Sequence, residues 1–583
     1  MSTPASRQRA ATIAVTAPSL WPNRYDLAVF VIIVAIFVVA AAGLAGMAQP
    51  LAALDSAPLT LDPAQLPAYA LFTTLRMLAA IVASLLFTFV VATLAARSRK
   101  AEMIIIPALD ILQSVPVLGF LTFTVVFFMG LFPGSQIGAE CAAVFAIFTS
   151  QAWNMAFAFY QSLKTTPSDL DEAARHFRLS GWQRFWKLDV PHAVPGLVWN
   201  TMMSMSGGWF FVVASEAISV GDTRIALPGI GSWLSLAIER QDIAAVAWAV
   251  GAMALVILIY DQLLFRPIVA WADKFRMEQT ASATVPQSWV YDALRRTRAL
   301  KRLAVPLELL GETISRLSTR LRLPVRHRQG LPAAAAPIFD RLWLALVVAA
   351  GLYAAWIIVD YVRLSLGPGD LIEALAVGAL TLLRVVVLIA LASLIWVPIG
   401  VWIGLRPAIA DKVQPLAQFL AAFPANVLFP VFVVAIATHG LDPNIWLSPL
   451  MILGTQWYIL FNVIAGASAF PNDLKEAAAL GQVRGWLWWR KVILPGIFPH
   501  YVTGALTASG GSWNASIVAE VASWGQTKLE ATGLGAYIAK ATDAGDFPRV
   551  VLGIAVMSLF VILFNRLFWR RLYIYAERHL RLS

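Results

Sequence analysis

Two polar segments stand out of an otherwise apolar chain, because each repeats the same residue types at the same spacing. One runs from Pro167 to Pro195 and holds Glu172-Ala173-Ala174. The other runs from Pro471 to Pro499 and holds Glu476-Ala477-Ala478. Each opens on a Pro and an Asp, passes Glu-Ala-Ala, reaches Gly181-Trp182 or Gly485-Trp486, and closes on prolines. Small Ala side chains permit close approach of another surface, so the chemistry on offer is docking. Ser168 and Asn472 are the expected N-caps of a short helix that starts at Glu-Ala-Ala. A second group is ionisable residues within apolar runs, which are costly there and functional candidates by default. Arg76 with Glu216, and Arg384 with Glu520, are expected to form ion pairs that either stitch each half together or touch substrate. A third group, Ser206, Trp209, Ser512, Trp513 and Asn514, supplies candidates for a pathway or gate. Trp209 and Trp513 are expected at the narrowest part of a central cavity, where an apolar constriction seals by dewetting. Packing against neighbouring spans is the competing role.

The residues for catalysis are missing. Cys141 is the single cysteine, which excludes a disulfide framework and multi-cysteine metal sites. No GxxxxGK[ST] loop occurs, so the chain holds no ATP by that device. No HExxH motif or paired carboxylates point to hydrolysis, and His176, His192, His439 and His500 are scattered rather than grouped as ligands. The expectation is a transport subunit without an enzyme site, metal or cofactor of its own.

The elements that position these groups are membrane spans. Of 583 residues, 59% are apolar and 13% charged, and the mean hydropathy is +0.72. A soluble or disordered chain is excluded. The net charge of +11 marks loops on one face and contact with anionic lipid rather than nucleic acid. Apolar stretches predict an all-α polytopic protein with about twelve spans, near 28–48, 70–96, 107–132, 138–160, 193–219, 243–265, 342–363, 375–404, 415–437, 446–466, 498–522 and 547–569. Prolines 107, 116, 415, 424 and 430 interrupt the third and ninth. The first run is too long for a typical signal peptide, although small residues after Ala40 resemble a cleavage site. Lys and Arg gather before the first span, after the second and fourth, in 266–341 and at the C-terminus, which places both termini in the cytoplasm.

The chain is internally duplicated. A shift of 304 superposes 167–231 on 471–535, including Pro191 on Pro495, Trp209 on Trp513, Glu216 on Glu520, and Gly229 and Gly231 on Gly533 and Gly535. Earlier the shift is 308, with Arg76 on Arg384 and Pro116 on Pro424. Two six-span copies of the same topology place a pathway at their interface. The organisation expected is an arm over 1–27, a first repeat over 28–269 with its loop at 167–191, a basic amphipathic linker over 270–337, and a second repeat over 338–583 with its loop at 471–495. The linker suits the anionic inner leaflet or a regulatory docking surface.

The two loops resemble the EAA loop of ATP-binding-cassette importer permeases of type I. Both carry Glu-Ala-Ala, and both have a Pro nineteen residues after the Glu, at Pro191 and Pro495. One departure stands: that family usually has Gly six residues after the Glu, where this chain has Arg178 and Gln482, with glycines at 181 and 485 instead. The fifth-span segments, with Gly533-Leu534-Gly535 and Gly229-Ile230-Gly231, look most like the nitrate, sulfonate, taurine and bicarbonate branch, here as a duplicated single chain. The resemblance implies a small-anion importer of the bacterial inner membrane. It implies two separate ATPase subunits that hold ATP and Mg and dock on Glu172, Ala173, Ala174, Gly181, Glu476, Ala477, Ala478 and Gly485, and a periplasmic or lipid-anchored binding protein. The rival is a secondary transporter driven by an ion gradient, which also uses parallel six-span halves but needs no such loops.

Overall fold

A computed structural model describes residues 24–52, 59–115, 117–220, 223–275, 288–297, 313, 336–468, 470 and 472–580. Most of the arm over 1–27 and of the linker over 270–337 lies outside the described residues, as do Pro116, Gly221 and Pro471.

In the first half, α1 (Arg24–Met47) precedes α2 (Leu66–Arg97), α3 (Arg99–Ser114), α4 (Val117–Leu131) and α5 (Gln136–Lys164). Two short helices, α6 (Ser168–His176) and α7 (Gly181–Arg184), lead through a π turn into α8 (Val190–Glu216). A hairpin of β1 (Ala217–Val220) and β2 (Thr223–Ala226) follows, then α9 (Ile230–Glu239), α10 (Ile243–Tyr260) and α11 (Arg266–Ala272). A short α12 (Trp289–Arg296) lies within the linker.

The second half repeats this order. It runs α13 (Ala336–Ser365), α14 (Pro368–Gly404), α15 (Pro407–Ala422), α16 (Phe429–Thr438), α17 (Pro443–Trp446), α18 (Leu450–Leu453), α19 (Gln456–Ser468), α20 (Asn472–Leu480), α21 (Gly485–Trp488) and α22 (Leu494–Ala519). It ends with the hairpin β3 (Val521–Trp524) and β4 (Thr527–Glu530), then α23 (Leu534–Asp543), α24 (Phe547–Phe564) and α25 (Arg570–His579).

Among the described residues, seven helices are long and apolar enough to cross a membrane, and two bent helix pairs pass the same test together. A proline explains the sharper break, whereas the 44° bend of the other pair falls at Gly454-Thr455. The ninth stretch bends by 75° between Ala422 and Ala425, at Pro424, because Pro removes a backbone donor and clashes with the preceding turn. The third stretch, expected as one span, is split at Ser114–Val117 into α3 and α4 by the equivalent Pro116. The chain is all-helical as expected, and two short hairpins are added to it where α8 and α22 end at Glu216 and Ala519.

Each half has its own apolar core. One gathers Met77, Trp209, Trp233 and Met253; the other gathers Ile459, Trp513, Leu534 and Met557. The cores interlock, because Val427, on the break of the ninth stretch, is fully buried in the core of the first half. Large apolar side chains of α1, α13 and α14 are exposed on the outer surface, such as Phe37 at 73% and Leu394 at 73%, as lipid contact requires.

Candidate functional site

Three groups of residues are brought together, and the repeat explains each. The first lies where α8 and α22 end. Arg76, fully buried on α2, donates through Nη1 to Glu216 Oε1 at 2.8 Å. It also holds Glu140 of α5 at 2.6 Å through Nε and again through Nη2. In the second half Arg384 donates to Glu520 at 3.0 Å, and its other nitrogen meets Asn444 Oδ1 at 3.3 Å. Glu140 and Asn444 are equivalent under the shift of 304, but neither residue type nor spacing marked them as partners of the arginines. The first half thus sets one cation against two carboxylates, and the second half one against one.

Each Glu also caps the next helix. Glu216 Oε2 accepts from Gly231 N at 2.6 Å, and Glu520 Oε2 accepts from Ala536 N at 3.1 Å. Thr73 and Thr381 accept from Ile230 N and Leu534 N. An anionic group at a helix N-terminus satisfies orphan donors and meets the positive end of the dipole. This explains the paired glycines by close approach. A Cβ on Gly229 or Gly533 would lie 2.3 or 2.2 Å from the Glu carboxyl, and one on Gly231 would lie 2.2 Å from the Val213 carbonyl oxygen.

The second group is a cavity of about 790 Å³ between the halves. On α8 it is lined by Ser206, Gly207, Phe210 and Phe211; on α22 by Gly510, Gly511, Asn514 and Ala515, the same four positions shifted by 304. Cross-half hydrogen bonds fix its wall. Asn514 Oδ1 accepts from Val117 N at 2.8 Å, and Asn426 donates to the Phe210 carbonyl at 3.0 Å. Positions 210 and 514 therefore each hold the broken third span of the opposite half. Ser206 Oγ donates to the Ala421 carbonyl and accepts from Tyr458 Oη at 3.0 Å.

Two gate candidates are corrected here. Trp209 does not line the cavity; it is 2% exposed and packs edge-on against Tyr260, with ring centroids 5.4 Å apart. Ser512 is buried off the cavity wall, donating to the Ala508 carbonyl and bonded to Thr455. Trp513 does line the cavity, and its indole stacks on Phe560 at 6.3 Å. Other polar side chains divide in the same way: Gln113 and Asn154 line the cavity, whereas Gln151 sits against Met77 and Gln456 accepts from Trp396.

The third group is the two polar loops, which adopt one conformation. Glu172 and Ala173 are exposed and Ala174 is buried; Glu476, Ala477 and Ala478 follow the same pattern. The helices begin four residues before Glu-Ala-Ala, at Ser168 and Asn472. Ser168 is therefore inside the helix and not its N-cap, a position that Pro167 occupies. The bend lies at the two residues that depart from the family pattern. Arg178 and Gln482 have φ of 51° and 50°. Leu179 N donates to Ala174 O, and Val483 N to Ala478 O, the pattern of a helix closed by a left-handed residue. Gly181 and Gly485 instead open the next short helix. Phe177 and Leu480 stand 75% and 86% exposed beside these motifs. Arg97 reaches under the first loop to Asp189 at 2.6 Å.

Known proteins are similar to this chain in sequence. The sequence model of the family described as binding-protein-dependent transport system inner membrane component matches residues 84–266 and again 396–571. A nitrate import permease protein of Leptolyngbya laminosa is 26% identical over 189 residues, 32% of this chain and 64% of that protein. A bicarbonate transport system permease protein of Synechococcus elongatus and a taurine transport system permease protein of Escherichia coli are each 27% identical over 187 residues, with the same coverage. The matched stretch spans 64% of the length of each of these relatives.

Proposed function

Because this chain belongs to the family of binding-protein-dependent transport inner membrane components, we propose that it is the transmembrane permease subunit of an ATP-driven importer for a small anion, with both repeats in one chain. Twelve spans form two parallel six-helix repeats, with both termini and both Glu-Ala-Ala loops in the cytoplasm. Two separate ATPase subunits carry the ATP and Mg, and a periplasmic or lipid-anchored binding protein delivers the substrate at the opposite face. The relatives named for nitrate, bicarbonate and taurine support an anionic or acid-bearing cargo.

The observation that carries this proposal is the matched pair of loops. Each offers an exposed Glu and Ala on a short helix, closed by the same left-handed turn and joined through a π turn to a helix that lines the central cavity. ATPase closure moves α6 and α20, and the rigid connection carries that motion into α8 and α22. Ser206, Trp513 and Asn514 lie where the two moving helices meet the broken spans of the other half. Glu172→Lys with Glu476→Lys reverses both charges on the docking face. In the assembled complex, stimulation of ATP hydrolysis by the binding protein should disappear while the complex still assembles or fails at docking. Unchanged stimulation and transport in the double variant would refute the assignment.

A further inference from the structure

The last spanning helix carries a charge pattern that its own repeat copy lacks. α10 and α24 have the same length, the same Asp N-cap and the same five-residue π turn at their ends, Asp261–Phe265 and Asn565–Trp569. Across the shift of 304, Asp261 becomes Asn565, Gln262 becomes Arg566, and Arg266 remains as Arg570. In the first copy Asp261 holds Arg266 at 2.9 Å and neutralises it. In the second copy that carboxylate is gone and a cation has been added.

Both arginines line the central cavity, whereas Asp261 and Arg266 do not. Among the described residues the cavity wall holds no Asp, Glu or Lys, and neither Arg566 nor Arg570 has an ion-pair partner. Arg566 and Arg570 are exposed and one helical turn apart, so they repel each other weakly, a repulsion that an anion between them removes. Their place is the loop-side end of the cavity, because α25 returns beside the start of α22, where Tyr575 meets Phe498 at 6.3 Å. Trp569 and Tyr573 line the wall next to them and give an apolar surface beside the charges. π turns inside helices are frequent at functional sites.

We propose that Arg566 and Arg570 form an oxyanion subsite on the loop side of the cavity, holding the acid group of a sulfonate or carboxylate before release. This rests on the permease reading above, and it places the subsite in one half only. Arg geometry suits the planar or trigonal oxygens of such a group through paired N–H donors.

The test uses the full chain in nanodiscs of neutral phosphatidylcholine at fixed ionic strength, titrated with ethanesulfonate and read by saturation-transfer NMR. Wild type should bind saturably. Arg566→Gln with Arg570→Gln should raise the dissociation constant about tenfold, the worth of one charge-assisted contact. Arg571→Gln removes a neighbouring charge outside the cavity wall and should leave binding unchanged. Arg566→Lys with Arg570→Lys keeps the charge but loses the paired donors and should weaken binding less than the Gln pair does, and melting curves in the same discs separate lost binding from lost folding. Three results would each overturn the proposal: wild-type binding in the Gln pair, an equal loss in Arg571→Gln, or loss of co-purifying phosphatidylglycerol with ethanesulfonate binding intact. No ATPase or binding protein enters this experiment, so its failure leaves the permease reading standing, which the Glu172 and Glu476 variants test by themselves.

Discussion

Replacing Arg76 by Gln should destabilise the chain more than the equivalent replacement of Arg384. Arg76 has no exposed side-chain surface and neutralises two carboxylates, Glu140 at 2.6 Å and Glu216 at 2.8 Å. Arg384 is 14% exposed and neutralises one, Glu520 at 3.0 Å. Removing one partner of a buried ion pair costs about 3–5 kcal/mol, because the other charge is left without compensation. Arg76→Gln leaves two such charges close together and belongs at the upper end, near 5 kcal/mol. Arg384→Gln leaves one charge with water nearby and Asn444 still present, and belongs near 3 kcal/mol. The difference of about 2 kcal/mol corresponds to about 4–8 °C in the melting midpoint of a half this size. Midpoints of the purified chain in nanodiscs measure it. Adding Glu140→Asn, which gives the first half the residue found at 444 in the second, should recover part of the Arg76→Gln loss, and the double-mutant cycle reads the coupling. Equal shifts for the two Gln variants, or no recovery from Glu140→Asn, would refute the charge-balance argument.

Gly533→Ala brings a methyl group 2.2 Å from Glu520 and should cost about 1–3 kcal/mol by overpacking, whereas Gly369→Ala, with open space at its Cβ, should not, as paired thermal melts will show. Gln482→Gly relieves a left-handed backbone that costs a non-glycine residue about 1–2 kcal/mol, offset by the larger chain entropy of Gly. The net gain of about 0.5–1 kcal/mol should appear as slower amide exchange across α20. Glu102, at the start of α3 and outside the long spans, is held below its ordinary pKa of 4.5, first by the Tyr160 hydroxyl and then by Lys164. A depressed carboxyl contributes stability above its ordinary value and loses it as the pH falls through the lowered one. Tyr160→Phe should therefore flatten the loss of melting temperature below about pH 4.5, and an unchanged acid profile would remove Glu102 from the account.

Much of this protein was legible in the amino-acid order. Membrane residence follows from apolar runs, because a bilayer selects length and hydropathy before any contact forms. The duplication, the two loops and the juxtaposition of Arg76 with Glu216 follow from residue identity at fixed offsets, which two copies of one topology must preserve in space. Other features depended on the fold. Glu140 sits in a helix whose sequence reads as an ordinary apolar span, and only packing carries it to Arg76. The helices α8 and α22 are apolar on nearly every side, so no periodicity marks which face meets the cavity. Rotation about the helix axis puts Phe210 and Asn514 on that face and sends Trp209 into the core. The left-handed turns at Arg178 and Gln482 were hidden because neither residue type announces that backbone. The loop bends six residues after the Glu, and backbone bonds back to Ala174 and Ala478 close the bend without a glycine there.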